Sequence, residues 1–233
     1  MGESTSLWPY SIDNDIALLP FISSANIACG FHAGDAYTMH ELVDAALTAG
    51  VAVGAHPGFA DKENFGRTNM DLSPIKIYDS IIYQLGALDA FLKINGTKLK
   101  HVKPHGALYN MAARDEVMAN AVCKAVKEYD AGLVLYGLSG SELISEATAL
   151  GLASCSEVFA DRTYQEDGSL TARTLPNALV EDEEQSLQQV LQMAMHGTVN
   201  CVNGKTIKVK ADTICIHSDG PHALSFADAF MKR

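Results

Sequence analysis

Long apolar runs are missing from this 233-residue chain. No stretch of eighteen or more hydrophobic residues occurs, which excludes a membrane-spanning helix by length. Nor does a basic segment followed by an apolar one open the chain, so no secretory signal is legible. Cysteine is sparse and unpaired in pattern: Cys29, Cys123, Cys155, Cys201 and Cys215 are odd in number and contain no Cys-x-x-Cys. That set predicts buried, reduced thiols in a cytoplasmic protein rather than a disulfide framework. Positive charge is short as well, with 17 Lys and Arg against 28 Asp and Glu, a net −11. A field of that sign disfavours nucleic acid and anionic membrane as partners. No Pro/Gly/Ser-rich linker, low-complexity tract or repeat divides the chain, so one domain over residues 1–233 is expected.

What is present is a repeated arrangement. Six short apolar segments each end in polar residues, beginning at Ala25, Val51, His101, Leu133, Cys155 and Thr213. Five of the six place His, Asp, Glu, Lys or Arg just after the run. A strand that delivers a reactive side chain at its C-terminal end, again and again, is how a (β/α) barrel assembles an active site. The pattern reads as an α/β enzyme.

Amphipathic helical stretches alternate with these segments. Thr38-Met-His-Glu41 reads as a capping box with Leu42, Val43 and Ala46 on one face and Gly50 as the stop. Ser73-Pro74 opens a second helix lined by Ile77, Ile81, Leu85, Leu88 and Leu92 and closed at Asn95-Gly96. Met118, Val122, Ala125 and Val126 mark a third. Ser139-x-x-Glu142 caps a fourth that ends at Gly151. Glu181-Asp-Glu-Glu184 gives a fifth an acidic start that suits the helix dipole. Val199 to Val209 forms a hairpin turning on Asn203-Gly204.

Two motifs fail on spacing. Asn203-Gly-Lys-Thr206 resembles the end of a phosphate-binding loop, but Val199 stands where its first glycine belongs. Gly137-Leu-Ser-Gly140 resembles a nucleophile elbow, but Ser141 occupies its last position.

The remaining clusters carry a family resemblance. Asn26-Ile-Ala-Cys-Gly-Phe-His-Ala-Gly-Asp35, Gly54-Ala-His-Pro-Gly58, Phe65-Gly-Arg67, His101-Val-Lys-Pro-His-Gly-Ala-Leu-Tyr-Asn110 and Glu157-Val-Phe-Ala-Asp-Arg162 closely resemble the LamB/YcsF family. The likeness runs from Met1-Gly-Glu3 to the C-terminal helix. It implies an irregular seven-stranded (β/α) barrel, similar to the glycoside hydrolase and deacetylase superfamily. It also implies an A-subunit role in bacterial ATP-dependent 5-oxoprolinase, which opens the lactam of 5-oxoproline (pyroglutamate) to L-glutamate with ATP hydrolysis and subunits B and C. There are two departures. Family members carry an Asp-Leu-Asn-Cys-Asp strand before Met-Gly-Glu, so a first strand is expected to precede Met1 in the native product. Near the C-terminus, His217-Ser-Asp219 stands where relatives read His-Gly-Asp.

Each candidate has a structural alternative. His32, His56 and His105 follow strands and suit proton transfer, since an imidazole titrates near neutral pH; the alternative is a core histidine satisfied by backbone. Lys103 would be an inward lysine, costly without an anionic partner. With an arginine it would hold a carboxylate or stabilise an oxyanion. Asp35 either caps the next helix or, like Glu157 or Asp219, orients the catalytic imidazole or shares its proton; His217 completes the expected catalytic set. Arg67, Asn26, Asp161, Arg162 and Asp219 are the expected substrate-binding set, although Asp161 and Arg162 would also satisfy each other. No nucleotide-binding loop is recognisable, so ATP is expected at the level of the complex. A second reading is a metal-dependent amidohydrolase related to the deacetylases, with His32, His56 and His105 as candidate ligands for a divalent ion. A third is a scaffold subunit that binds ligand without turnover.

Overall fold

A computed structural model of the chain describes residues 1–218 and 223–231. They belong to two compact units, Met1–Gly137 with Ser141–Ser154, and Leu138–Gly140 with Cys155–Arg233. Among the described residues no helix is long and apolar enough to cross a membrane.

In the first unit, α1 (Ile12–Leu18) and a 3-10 turn (Leu19–Phe21) precede β1 (Ser24–Ala28). There follow α2 (Ala36–Thr48), β2 (Ala52–His56), α3 (Pro74–Ile94), β3 (His101–Val102), α4 (Gly106–Ala112), α5 (Glu116–Tyr129), β4 (Val134–Leu138) and α6 (Glu142–Leu150). Neighbouring strands run parallel in the order of the chain. Ala28 pairs with His56, Gly54 with His101, and His101 with Val134. The four expected strand segments of this region are therefore all strands. The ladder continues past β3, since Lys103 donates its N–H to Ala55 and His105 donates its N–H to Pro57. That extension carries both side chains to the level of the β2 C-terminus. The predicted core face of α3 is buried at Ile77, Ile81, Leu85, Leu88 and Leu92. Full burial of each such side chain stabilises by roughly 1.5–3 kcal/mol.

Two predicted helix starts differ from the structure. The N-cap of α2 is Asp35, which accepts from the Thr38 N–H at 2.8 Å and the Thr38 hydroxyl at 2.9 Å. Thr38 is already helical, so it is a capped residue rather than a capping one. The N-cap of α6 is Ser141; the Ser139 hydroxyl instead accepts from the Lys210 N–H at 2.8 Å. Neither α1 nor α4 was expected. Both are seven residues long, too short to show a helical repeat.

The second unit contains β5 (Ser154–Phe159), α7 (Glu183–His196), β6 (Thr198–Asn200), β7 (Thr206–Lys208), β8 (Thr213–Cys215) and α8 (Ala223–Met231). β5 and β8 are parallel, with Glu157 opposite Thr213 and Phe159 opposite Cys215. β6 and β7 form the antiparallel hairpin expected around Asn203-Gly204. Asp182 caps α7 through the Gln185 N–H, and Glu183 and Glu184 fill its first turn. All five cysteines are free, and all but Cys155 are buried.

Candidate functional site

Three histidines of the first unit converge on one carboxylate. His32 follows β1, His56 ends β2, and His105 follows Lys103-Pro104. Glu3 reaches them from the N-terminal segment, which lies along β1: the Ala28 N–H donates to the Met1 carbonyl, and the Met1 amine donates to the Asn26 carbonyl. Glu3 Oε1 stands 3.1 Å from His32 Nε2, 3.0 Å from His105 Nδ1 and 3.7 Å from His56 Nε2. His105 Nδ1 also lies 3.1 Å from His56 Nε2. The His32 and His105 rings stack with centroids 3.8 Å apart and planes 5° from parallel. All four side chains are buried.

Backbone carbonyls fix two of the rings. His56 Nδ1 is 2.6 Å from the Lys103 carbonyl, and His105 Nε2 is 2.9 Å from the Phe65 carbonyl. A carbonyl only accepts, so each of these nitrogens carries the proton that donates to it. Phe65 is the one described non-glycine residue with positive φ, at 58°. Such backbone costs energy and persists where the surroundings impose it. Here it aims the Phe65 carbonyl at His105, while the Phe65 ring meets His32 and His105 edge-on. Asp61 ties the same loop, accepting from Asn64 and from the Thr68 N–H.

Close backbone approach explains two glycines. A Cβ on Gly58 would lie 2.7 Å from His32 Nδ1, and one on Gly66 would lie 2.6 Å from His32 Cβ. Gln84 of α3 holds the Gly58 peptide from both sides, accepting its N–H and donating to its carbonyl.

Burial dominates the electrostatics. It pushes the His32 imidazole down to about 3, with the charge of His105 acting in the same sense and Glu3 against it. Burial and then His105 likewise hold His56 well below the usual histidine range. For Glu3, burial works to raise the carboxyl. The charges of the chain's amino end and of His105, with hydrogen bonds from His105 and His32, nevertheless keep it well below the usual carboxylate range.

Lys103 is buried, and its ammonium sits 5.8 Å from the centroid of the Tyr109 ring. The Arg67 guanidinium covers the Phe65 ring at 4.7 Å. Asn26, expected to bind substrate, places Oδ1 2.9 Å from His101 Nε2. An amide oxygen only accepts, so Nε2 of that ring carries the proton. His101 is buried, stacks on Tyr136 at 4.3 Å, and is pushed down to about 3 by burial and then by Lys103. Asp35 is exposed and serves as the α2 cap.

The second unit brings together a different pair. His217 Nδ1 lies 2.8 Å from Asp161 Oδ2, and the His217 N–H donates to the same carboxylate at 3.2 Å. The ring stacks on Phe159 with centroids 5.6 Å apart. Burial works to raise the Asp161 carboxyl, but the charge and hydrogen bonds of His217 hold it below its ordinary value. Asp161 therefore orients an imidazole, a role the sequence assigned elsewhere. Arg162 is buried and donates to the Ala178 carbonyl at 3.2 Å and the Thr171 carbonyl at 2.5 Å. Glu157 is buried within β5. Asp219 lies outside the described residues.

Glu3 and His101 were not singled out from the sequence. His101 sits in a quoted motif but at the start of its strand, where chemistry was not sought. Glu3 lies outside every apolar segment, and its only signal was its place in Met1-Gly-Glu3, where the family likeness begins.

Comparison with known proteins agrees with this reading of the motifs. The model of the LamB/YcsF family matches residues 1–233. This chain belongs to the LamB/YcsF family. It is similar to the 5-oxoprolinase A subunit of Tolumonas auensis, 55% identical over 97% of this chain and 90% of that protein. The 5-oxoprolinase A subunit of Bacillus subtilis is 50% identical over 100% of this chain and 90% of its own. Among solved structures, the lactam utilization protein from Thermus thermophilus superposes with a TM-score of 0.90 at 43% identity, covering 100% of this chain and 94% of that one. The α/β fold of this LamB/YcsF chain is thus shared with a relative solved by crystallography.

Proposed function

We propose that this chain is the A subunit of a cytoplasmic ATP-dependent 5-oxoprolinase, opening the lactam of 5-oxo-L-proline to L-glutamate together with subunits B and C. The observation that carries the reading is the buried group of Glu3, His32, His56 and His105 in a chain whose relatives bear that name. A five-membered lactam is a resonance-stabilised amide. Its opening needs an activated carbonyl, an attacking water, and a proton for the departing nitrogen. Phosphorylation of the amide oxygen from ATP, at the level of the complex, would supply the first. Water then adds to the carbonyl carbon, the C–N bond breaks, and the ring nitrogen takes a proton to become the amine of a γ-glutamyl phosphate, whose hydrolysis by a second water releases phosphate and L-glutamate.

Within this reading the histidine cluster governs the water, its two carbonyl-anchored rings presenting their other nitrogens beside Glu3. Lys103 supplies positive charge for a carboxylate or a developing oxyanion. His217, held by Asp161 through Nδ1, is left with Nε2 for proton transfer. Arg67 offers a second cation for the substrate carboxylate. Free, buried thiols fit a reducing compartment. A second reading, an amidohydrolase that needs a metal but no ATP, is favoured by the grouping of Glu3, His56 and His105.

Glutamate release from 5-oxoproline, with ATP and the partner subunits present, tests the assignment. His105→Ala should lower the rate by about a hundredfold or more, the scale of a lost acid–base group, with an unchanged thermal melt. Near-normal release by the folded variant removes the cluster from the mechanism. Full activity without ATP favours the second reading, and absence of release by the wild-type complex overturns the function.

A further inference from the structure

We infer that Glu3 Oε1, His56 Nε2 and His105 Nδ1 form a binding site for one divalent transition-metal cation of the Zn2+ class; the inference rests on the same cluster as the lactam-opening reading. The three residues are all buried, and their ligand atoms lie within 4.8 Å of one another. Donors and acceptors do not balance within this group. His56 gives its Nδ1–H to the Lys103 carbonyl, and His105 gives its Nε2–H to the Phe65 carbonyl. In neutral imidazoles the other nitrogen of each ring is then a lone pair. Those two lone pairs face each other at 3.1 Å, and the carboxylate oxygen faces the His105 one at 3.0 Å. Three acceptors in contact repel, and burial excludes the water that would relieve them.

A cation relieves all three. An ion bonded tetrahedrally at about 2.1 Å separates its ligands by about 3.4 Å. The observed separations of 3.0, 3.1 and 3.7 Å bracket that value. The surroundings also match. Metal-bound histidines give their second N–H to a carbonyl or carboxylate, and metal-bound carboxylates are themselves hydrogen-bonded. Here both rings are anchored on carbonyls, and His32 Nε2 lies 3.1 Å from Glu3 Oε1. His32 is thus a positioning residue for the carboxylate. Two nitrogens and one oxygen suit Zn2+, Co2+ or Fe2+ better than Mg2+ or Ca2+, which prefer all-oxygen sites. Such an ion would polarise a carbonyl or acidify a water at this point.

The competing account is a proton: a charged His105 donating from both nitrogens would satisfy Glu3 with no metal. Calorimetric titration of the chelator-treated full chain with Zn2+ separates the two. One ion per chain is expected, and Co2+ in its place should give the strong visible absorption of a tetrahedral site. Glu3→Gln should weaken Zn2+ binding by more than the roughly 10–100-fold that loss of a supporting partner costs. Should that variant unfold, the wild-type stoichiometry and the Co2+ spectrum still decide the matter. Binding well below one ion per chain, a purely octahedral Co2+ spectrum, or equal affinity in folded Glu3→Gln would overturn the site. Because binding is read without turnover, a chain that opens the lactam yet binds no ion refutes the metal alone. One that binds an ion but never releases glutamate refutes the function alone.

Discussion

The histidines of the first unit and His217 of the second are held in opposite ways. His56 and His105 are buried and anchored on backbone carbonyls, which are neutral and only accept. His217 is partly exposed and anchored on the Asp161 carboxylate. A carbonyl fixes which nitrogen carries the proton without favouring a charged ring, whereas a carboxylate favours the imidazolium. The first arrangement therefore suits rings that present lone pairs. The second suits a ring that takes up and gives back a proton. The same residue type has been given two chemistries by its anchor and its exposure.

The largest expected effect tests whether the first unit works through charge as well as lone pairs. Lys103→Met keeps most of the buried stem and removes only the ammonium. It should slow glutamate release about a hundredfold, as much as Lys103→Ala, the scale of a lost oxyanion contact. Wild-type rates for Lys103→Met, with Lys103→Ala impaired, would reduce this lysine to packing.

A smaller effect is expected in the second unit. Asp161→Asn should leave the His217 ring in place with its orientation weakened, slowing release by about tenfold. The conservative variant decides whether the carboxylate itself matters: Asp161→Glu should recover part of the rate that Asp161→Asn loses. A rate loss in folded Asp161→Asn that Asp161→Glu does not recover at all would make the pair a structural contact.

The smallest effects are on stability, and they separate the units by pH. His101 is held at about 3 by burial and then by Lys103, below the roughly 6.5 of an unfolded histidine. Its contribution is full above about 6.5 and is lost as pH falls from there toward 3, because the unfolded chain binds the proton first. The Asp161 carboxyl is lowered too, burial being outweighed by His217. Its contribution is full above the unfolded value of about 4 and is lost only as pH falls through the folded one. Thermal melts from pH 7 to 3 should show His101→Gln flattening the upper part of this range and Asp161→Asn only the lower. Identical profiles for both variants and wild type would contradict the stated burial of either group.

Much of the fold was legible because it is written in local spacing. The alternation of apolar segments with helical stretches predicted every strand from β1 to β8 that carries a candidate, and the 3- and 4-residue repeat of α3 predicted its buried face. Helix starts were less legible, since Thr38 and Asp35, or Ser139 and Ser141, offer similar side-chain acceptors. Which one caps depends on where the backbone leaves the extended region.

Family membership, the parallel α/β order and the histidines at strand ends could all be read from neighbouring residues. Each is a matter of short-range order: apolar runs of strand length, helical repeats between them, and polar residues where a run stops. The folded molecule was needed to show that Glu3 joins His32, His56 and His105, that Asn26 serves His101, and that Asp161 orients His217. Glu3 and His32 are 29 positions apart, Asp161 and His217 are 56 apart, and Asn26 and His101 are 75 apart. No local repeat encodes such contacts. They arise when parallel strands bring their ends level and burial strips away the water that would otherwise satisfy each group.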